Sequence, residues 1–337
     1  MASEPRILHF HDCADVGGAL VRAAKRHGLH WDYLSAEAVR PSNRPNNPLV
    51  SKGFTAKLLL RNRRAIAKAD IVHIHYAMVV PNAQNKFMPE RPYFLHLHGT
   101  DIRKHWANGR RKSKVQPWIE GAERVYYTNL DTRENAEEAF PGAEFMPAFI
   151  EPDRLVPWAY TDQQPQKIVF LSRWEDIKGA PANIALAREL RRAFPGVALE
   201  GLDWGDQTEQ ARQAGVNLVP KMGHSDYVRW ISEATIAIGQ AQPMLGVSEF
   251  EAMAIGLPVA VLGSRIPRPT DGATPPVIEG DLDAVVEGIR LALDDPFSAT
   301  EELGAKQWVL DRHLADSYVP GLQRAYRETL GLDPSGV

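Results

Sequence analysis

Arg173 follows the apolar run KIVFLS, and Lys178 comes after it in SRWEDIKGAP, just before a helix start near Pro181. A guanidinium and an ammonium beside a helix N-terminus, with its free N–H groups and positive dipole end, suit a diphosphate. Arg173 would lie at the carboxyl end of a buried strand, where ligands gather in parallel α/β sheets, which favours a functional role over two solvated charges. Glu251 begins a helical stretch in GVSEFEAMAIGLPVAV, and a carboxylate placed in a cleft can accept from both hydroxyls of a ribose. Near the start of the chain, DVGG puts Gly17 and Gly18 between a strand and a helix, so backbone N–H groups could approach a phosphate with no Cβ in the way. The pair lacks the full G-x-G-x-x-G fingerprint, and a plain strand-to-helix turn explains it equally well.

Three H-x-H pairs, His9 with His11, His73 with His75 and His96 with His98, fall in or just beyond expected strands, and period two puts each pair on one face. Such a cluster could bind zinc, which makes a metal-dependent hydrolase the rival from another reaction class. It lacks a set of carboxylates at metal-site spacing. Cys13 is the single cysteine and excludes an internal disulfide; Asp12 and Asp15 beside it would raise a thiol pKa, so it is a poor nucleophile. The one D-x-D, Asp281 to Asp283, fits an N-cap for the helix LDAVVEGIRLAL better than a metal site.

The elements that must hold these residues alternate in type. RILHF, GGALVRAAKRHG, FTAKLLLRNRRAIAKAD, IVHIHYAMVV, YFLHLHG and RVYYTN read as short buried strands interleaved with helices, the pattern of a parallel sheet covered on both faces. The pattern lapses at MPAFIEPDRLVPWAYTDQQPQ, with Pro147, Pro152, Pro157 and Pro165 along it, and restarts at KIVFLS. This predicts domains at 1–157 and 158–315 joined by a hinge. A terminal amphipathic helix, 316–337, carries Val319, Leu322, Tyr326 and Leu330 on one stripe and is expected to pack back on the first domain.

Three of these loops, in this order, resemble the retaining GT-B glycosyltransferases of group 1, family 4. SRWEDIKG is similar to that family's Gly-Arg-x-x-x-x-Lys-Gly stretch and SEFEAMAIGLPV to its Glu-Ala-Met-Ala-x-Gly-x-Pro-Val signature. MPAFIEPDRLVP resembles its interdomain stretch, LEGLDWGD its phosphate-side glycine turn and MGHSDYVRWISEATIAI its nucleobase-side strand and helix, so the likeness spans nearly the whole chain. The resemblance implies an α/β GT-B fold, two Rossmann-like doubly wound parallel-sheet domains facing a central cleft. It implies a hexosyl- or pentosyltransferase that takes its sugar from a nucleotide-sugar donor with retention of configuration and needs neither cofactor nor metal.

On that reading Arg173 and Lys178 stabilise the leaving diphosphate, Glu251 holds the ribose, and Gly17 and Gly18 serve the phosphate side. His98 in HLHG matches the family's active-site histidine near the transferred sugar. Met222, Met244, Leu245, Gly246 and Val247 complete the donor side, while Asp101, Arg103 and Lys104 lie on the acceptor side. Because Gly17 and Arg173 come from different domains, domain closure is expected. One departure is Pro243, eight residues before Glu251, where the family carries a second glutamate facing the donor sugar. Proline offers no side-chain acceptor, so main-chain groups of residues 244–246 hold the sugar, or the donor differs, or the chain is a catalytically weakened GT-B-like binding protein.

At 337 residues, with 44% hydrophobic and 24% charged residues, the composition is that of a folded globular protein and excludes disorder. No apolar run is long enough to span a bilayer, and MASEPRILHFHD enters a strand with no signal region, so a cytoplasmic location is expected, peripheral to a membrane if the acceptor is a lipid. The net charge of -3 hides an asymmetry, since residues 51–115 hold 14 Lys or Arg against three acids, a local net of +11. That surface suits an anionic acceptor, a lipid or glycan first and a nucleic acid or acidic protein second; ordinary solvated helix faces are the plain alternative. Within the segment, Lys57, Arg61, Arg63, Arg64 and Lys68 share a helix with Leu58 to Leu60, and 103–114 reads as a loop.

Overall fold

A computed structural model of the chain describes residues 4–12, 14–43 and 45–334, so the reading of Cys13 lies outside the described residues. The chain divides into two compact units. The first runs to Phe149 and resumes at Ala315; the second is Ile150–Leu314. The first unit therefore ends before the expected boundary at 157. The reason is local: Ile150 makes a bridge to Leu314 and joins the apolar core of the second unit, with Leu155 and Val156 packed on it.

In the first unit, strands β1 (Ile7–Asp12), β2 (Asp32–Ser35), β3 (Ile71–His75), β4 (Tyr93–Leu97), β5 (Arg124–Tyr127) and β6 (Glu144–Phe145) form one parallel sheet in the order β2-β1-β3-β4-β5-β6. Its central strands β1, β3 and β4 are buried at every residue, as a sheet covered on both faces requires. In the second unit, β7 (Lys167–Phe170), β8 (Ala198–Leu202), β9 (Asn217–Val219), β10 (Ile236–Ile238), β11 (Val259–Leu262) and β12 (Ile278–Gly280) form a second parallel sheet in the order β12-β11-β10-β7-β8-β9. The sequence pattern does not reveal β2, β6 or β12, which are edge strands of two to four residues and too short for a periodicity.

The helices that bear on function are α1 (Val16–Arg26), α2 (Pro48–Lys68), α3 (Gly109–Glu120), α4 (Ala180–Ala193), α5 (His224–Ser232), α6 (Val247–Ile255), α7 (Leu282–Asp294) and α8 (Val319–Thr329). The stretch expected as a basic loop is instead a π-helical turn, Thr100–Trp106, followed by α3. Trp106, Val115 and Ile119 bury in the core there, and that burial organises a segment whose charge suggested a loop. Terminal helix α8 packs within the first unit. Val319, Leu322 and Tyr326 are buried against α1 and the sheet, each buried aliphatic side chain contributing about 1.5–3 kcal/mol, and Tyr326 meets Trp31 edge-on at 5.4 Å. Asp281 caps α7 by accepting from the Ala284 N–H at 2.9 Å, which accounts for the D-x-D.

Candidate active site

In open parallel sheets, ligands bind beyond the carboxyl ends of the strands where the strand order reverses, because adjacent loops there diverge to opposite faces. In the second unit that point lies between β7 and β10. Past β7 the chain passes Arg173, bridges Trp174 to Gly205, makes a 3-10 turn over Asp176–Lys178 and enters α4. Gly179 takes φ 74°, and a Cβ there would sit 2.5 Å from the Ala241 carbonyl oxygen, so only glycine lets the loops after β7 and β10 touch. Lys178 crosses the same junction, its Nζ donating to Gln240 Oε1 at 2.7 Å.

Gln240 is buried and acts as a hub. Its backbone N–H donates to Glu249 Oε1 at 2.8 Å and its Nε2 to the Met244 carbonyl at 2.6 Å. The second oxygen of the buried Glu249 accepts from the Gly246 N–H at 2.9 Å, closing the loop onto the start of α6. Further support comes from Arg265, which is buried, donates to the Gln242 carbonyl at 2.7 Å, and has its guanidinium pKa lowered by burial despite Glu279 beside it. Pro243 is exposed and its carbonyl accepts from the Ile266 N–H at 3.0 Å. The loop that departs from the family pattern is thus braced by Gln240, Glu249 and Arg265, none of which the motif reading singled out.

Arg173 is about a third exposed; its Nε lies 3.1 Å from Glu175 Oε2 and its guanidinium 5.5 Å from the Trp204 ring, which also meets Lys221 Nζ at 3.8 Å. Glu251 is buried on α6, and burial raises its pKa while His224 Nε2, 2.7 Å from Oε1, opposes the rise. Met222 is partly buried against the apolar core, Val247 opens α6, and Met244 contributes its carbonyl to Gln240. The Leu245 side chain is buried in the apolar core, the favourable place for an aliphatic group next to α6, so any donor contact it makes is through its main chain.

In the first unit the order reverses between β1 and β3. Gly17 and Gly18 form the first turn of α1, and a Cβ on Gly17 would lie 2.6 Å from His75 Nε2. The glycine is therefore required by the histidine beneath it. The Gly18 N–H donates to Asp12 Oδ2 at 2.8 Å, so a carboxylate of the chain itself already occupies that amide. Asp101, expected on the acceptor side, has a structural role. It is fully buried, accepting from the Ala77, His98 and Ile102 N–H groups, each at 3.0 Å, and so ties the loops after β3 and β4 together. Burial pushes its pKa up to about 6 against those three bonds. Arg103 is held by Asp131 through two bonds of 2.7 Å, and Lys104 is exposed.

Five of the six H-x-H histidines converge; His11, at φ 59° where the register of β1 shifts, instead has its Nδ1 3.2 Å from the His75 carbonyl oxygen. Parallel pairing sets His9 beside His73 and His75 beside His96. One ring nitrogen each of His9, His73 and His75 lies within 4.8 Å of the others, and the same holds for His75, His96 and His98. His9 Nδ1 and His75 Nε2 are 3.0 Å apart, and His75 Nδ1 and His98 Nε2 are 3.3 Å apart, so lone pairs point at neighbouring rings; no carboxylate belongs to either group among the described residues. Burial holds these imidazoles in the neutral form, His9 down to about 3 and His98 to about 4.

Among the described residues no helix is long and apolar enough to cross a membrane. Much of α2 is exposed, including Leu49, Val50, Leu59 and Leu60, and beside it a groove of about 900 Å³ is lined by Pro41, Phe54, Leu58, Lys57, Arg61 and Arg64.

No protein-family model and no curated protein sequence matches the chain. Solved structures do. Sucrose-phosphate synthase from Thermosynechococcus elongatus superposes with a TM-score of 0.66 at 15% identity, covering 98% of this chain and 100% of that one. Anabaena Alr3699/HepE, in complex with UDP and glucose, gives 0.64 at 15% identity over 97% and 100% of the two chains. A Listeria monocytogenes protein provisionally named a UDP-N-acetylglucosamine 2-epimerase gives 0.59 at 12% identity over 98% of each. With two six-stranded parallel sheets in Rossmann-like units and matches of this length, the chain has the GT-B fold.

Proposed function

We propose that the protein is a glycosyltransferase moving a hexose or pentose from a nucleoside-diphosphate sugar to an acceptor with retention of configuration. The observation that carries this reading is Lys178, tethered to buried Gln240 where the second sheet reverses, with Arg173 on the same loop and Glu251 on α6. Fixed cations at that point suit a diphosphate, and a carboxylate nearby suits a ribose. HepE, bound to UDP and glucose, shows that a protein of this fold accepts such a pair. In the reaction the bond from the anomeric carbon to the diphosphate oxygen breaks, the acceptor hydroxyl oxygen bonds to that carbon on the same face, and its proton passes to the leaving phosphate. Arg173 and Lys178 neutralise charge growing on that phosphate, so activity is expected to survive a chelator.

For the acceptor, the apolar and basic surface of α2 with its groove fits a lipid-linked acceptor at an anionic membrane. Sedimentation with vesicles of 30% phosphatidylserine, against neutral vesicles, tests it; binding instead to RNA or to an acidic protein would replace the lipid.

A thermal-shift screen with uridine, guanosine, adenosine and thymidine diphosphates and their sugars, with chelator present, tests the donor site. Stabilisation by one diphosphate, lost in Arg173→Ala, is expected, followed by retained-configuration product by NMR. Binding without turnover would make the chain a nucleotide-binding relative, and sugar release or epimerisation without transfer would sink the transferase reading.

A further inference from the structure

His9, His75 and His98 are joined end to end. The ring centroids of His9 and His75 are 5.3 Å apart with planes 27° from parallel, and those of His75 and His98 are 5.5 Å apart at 28°. With nitrogen contacts of 3.0 and 3.3 Å, such separations are those of near-coplanar rings meeting edge to edge. Each contact needs one N–H and one lone pair, so a neutral chain of three rings has two states, all Nδ1–H or all Nε2–H.

The inner end decides between them. The Trp31 ring beside His9, with centroids 5.3 Å apart, lies 22° from parallel to it; His9 Nε2 is buried and has no hydrogen-bond partner among the described residues. In the all-Nε2–H state that atom would be a buried, unmatched donor; in the all-Nδ1–H state it is an unmatched lone pair. Orphaned buried N–H groups are the rarer and more costly of the two. The dead end also means that the chain conducts no proton. At the outer end, His98 Nδ1 meets no protein partner among the described residues, and its ring is only partly buried.

We propose that His9 and His75 are positioning residues that fix His98 as the Nδ1–H tautomer, so that His98 offers its ligand a hydrogen-bond donor rather than a general base. The matching ligand group is a hydroxyl or phosphate oxygen, and only its assignment to the donor sugar rests on the transferase reading. The absence of a side chain at Gly17, over His75 Nε2, leaves room for the middle ring.

Long-range proton–nitrogen correlation spectra of 15N-labelled, chelator-treated protein at neutral pH test this directly, with His98 assigned by its loss in His98→Gln. Protonated Nδ1 and bare Nε2 at both His75 and His98 are expected. In His75→Phe, His98 is expected to shift toward Nε2–H, the form free histidine prefers. Nε2–H at His98 in the native protein, or an unchanged tautomer in the variant, overturns the proposal; if His75→Phe does not fold, the native spectrum still decides. In transfer assays His98→Asn, whose amide reaches the Nδ1 position, is expected to exceed His98→Gln about tenfold in kcat; the reverse order overturns the donor role. The expected spectrum from a protein that transfers no sugar would sustain the histidine chain and remove the transferase reading alone.

Discussion

Lys178 and Arg173 differ in how firmly the protein holds them. Lys178 is anchored on Gln240, itself fixed by two further bonds, whereas Arg173 rests beside Glu175 and Trp204 at a partly exposed position. A preorganised charge contributes most where charge develops, so Lys178→Ala is expected to lower kcat by roughly 10²–10³-fold, read by steady-state kinetics. A drop below threefold would remove Lys178 from the chemistry. Glu251 titrates higher than an ordinary glutamate because burial disfavours its charge. If Glu251 holds the ribose as proposed, its two hydroxyls call for an ionised acceptor, and nucleotide affinity is expected to weaken as pH falls into that raised range. Glu251→Gln should weaken binding about tenfold, about 1.4 kcal/mol, and flatten the pH profile in calorimetric titrations.

Helix α1 and the turn into α4 each depend on a glycine, for different reasons. A methyl at Gly17 meets the buried His75 ring at 2.6 Å, whereas one at Gly18 meets the ends of Asp15 and Arg22, flexible side chains that can move. Gly17→Ala is therefore expected to destabilise the first unit by about 1–3 kcal/mol in urea unfolding, and Gly18→Ala by much less. Equal costs would contradict the packing described. Gly179→Ala adds a positive-φ strain to a backbone clash with Ala241, and should both destabilise the second unit and loosen the Lys178 anchor. Motif reading found α6 and the loop into α4 because each is a continuous stretch of sequence. It missed Gln240, Glu249 and His224, whose importance lies in what they touch across the sheet.

Taken together, the two units should respond differently to acid. Burial holds His9, His73, His75, His96 and His98 well below 6.5, so the unfolded chain binds protons there that the folded unit refuses. Their stabilisation is complete above 6.5 and falls as pH drops through the window toward 4, by up to ~1.4 kcal/mol per pH unit for each ring. Asp101, raised to about 6, works in the opposite sense, gaining stability as pH falls, but it is one carboxylate against five imidazoles. Calorimetry between pH 7.5 and 5 is expected to show the first unit melting earlier and separating from the second; parallel shifts of both would refute this. The alternation of buried strands and helices, the pair of cations and the shared face of His73 with His75 and of His96 with His98 all follow from the chain itself, because periodicity is a property of local backbone geometry; His11 departs from that period because the chain turns to φ 59° there. Which strands become neighbours is not local. That order alone brings His9, His75 and His98 into line, buries Asp101 and Leu245, and ends the first unit at Phe149, because contacts among distant segments form only once the sheets have assembled.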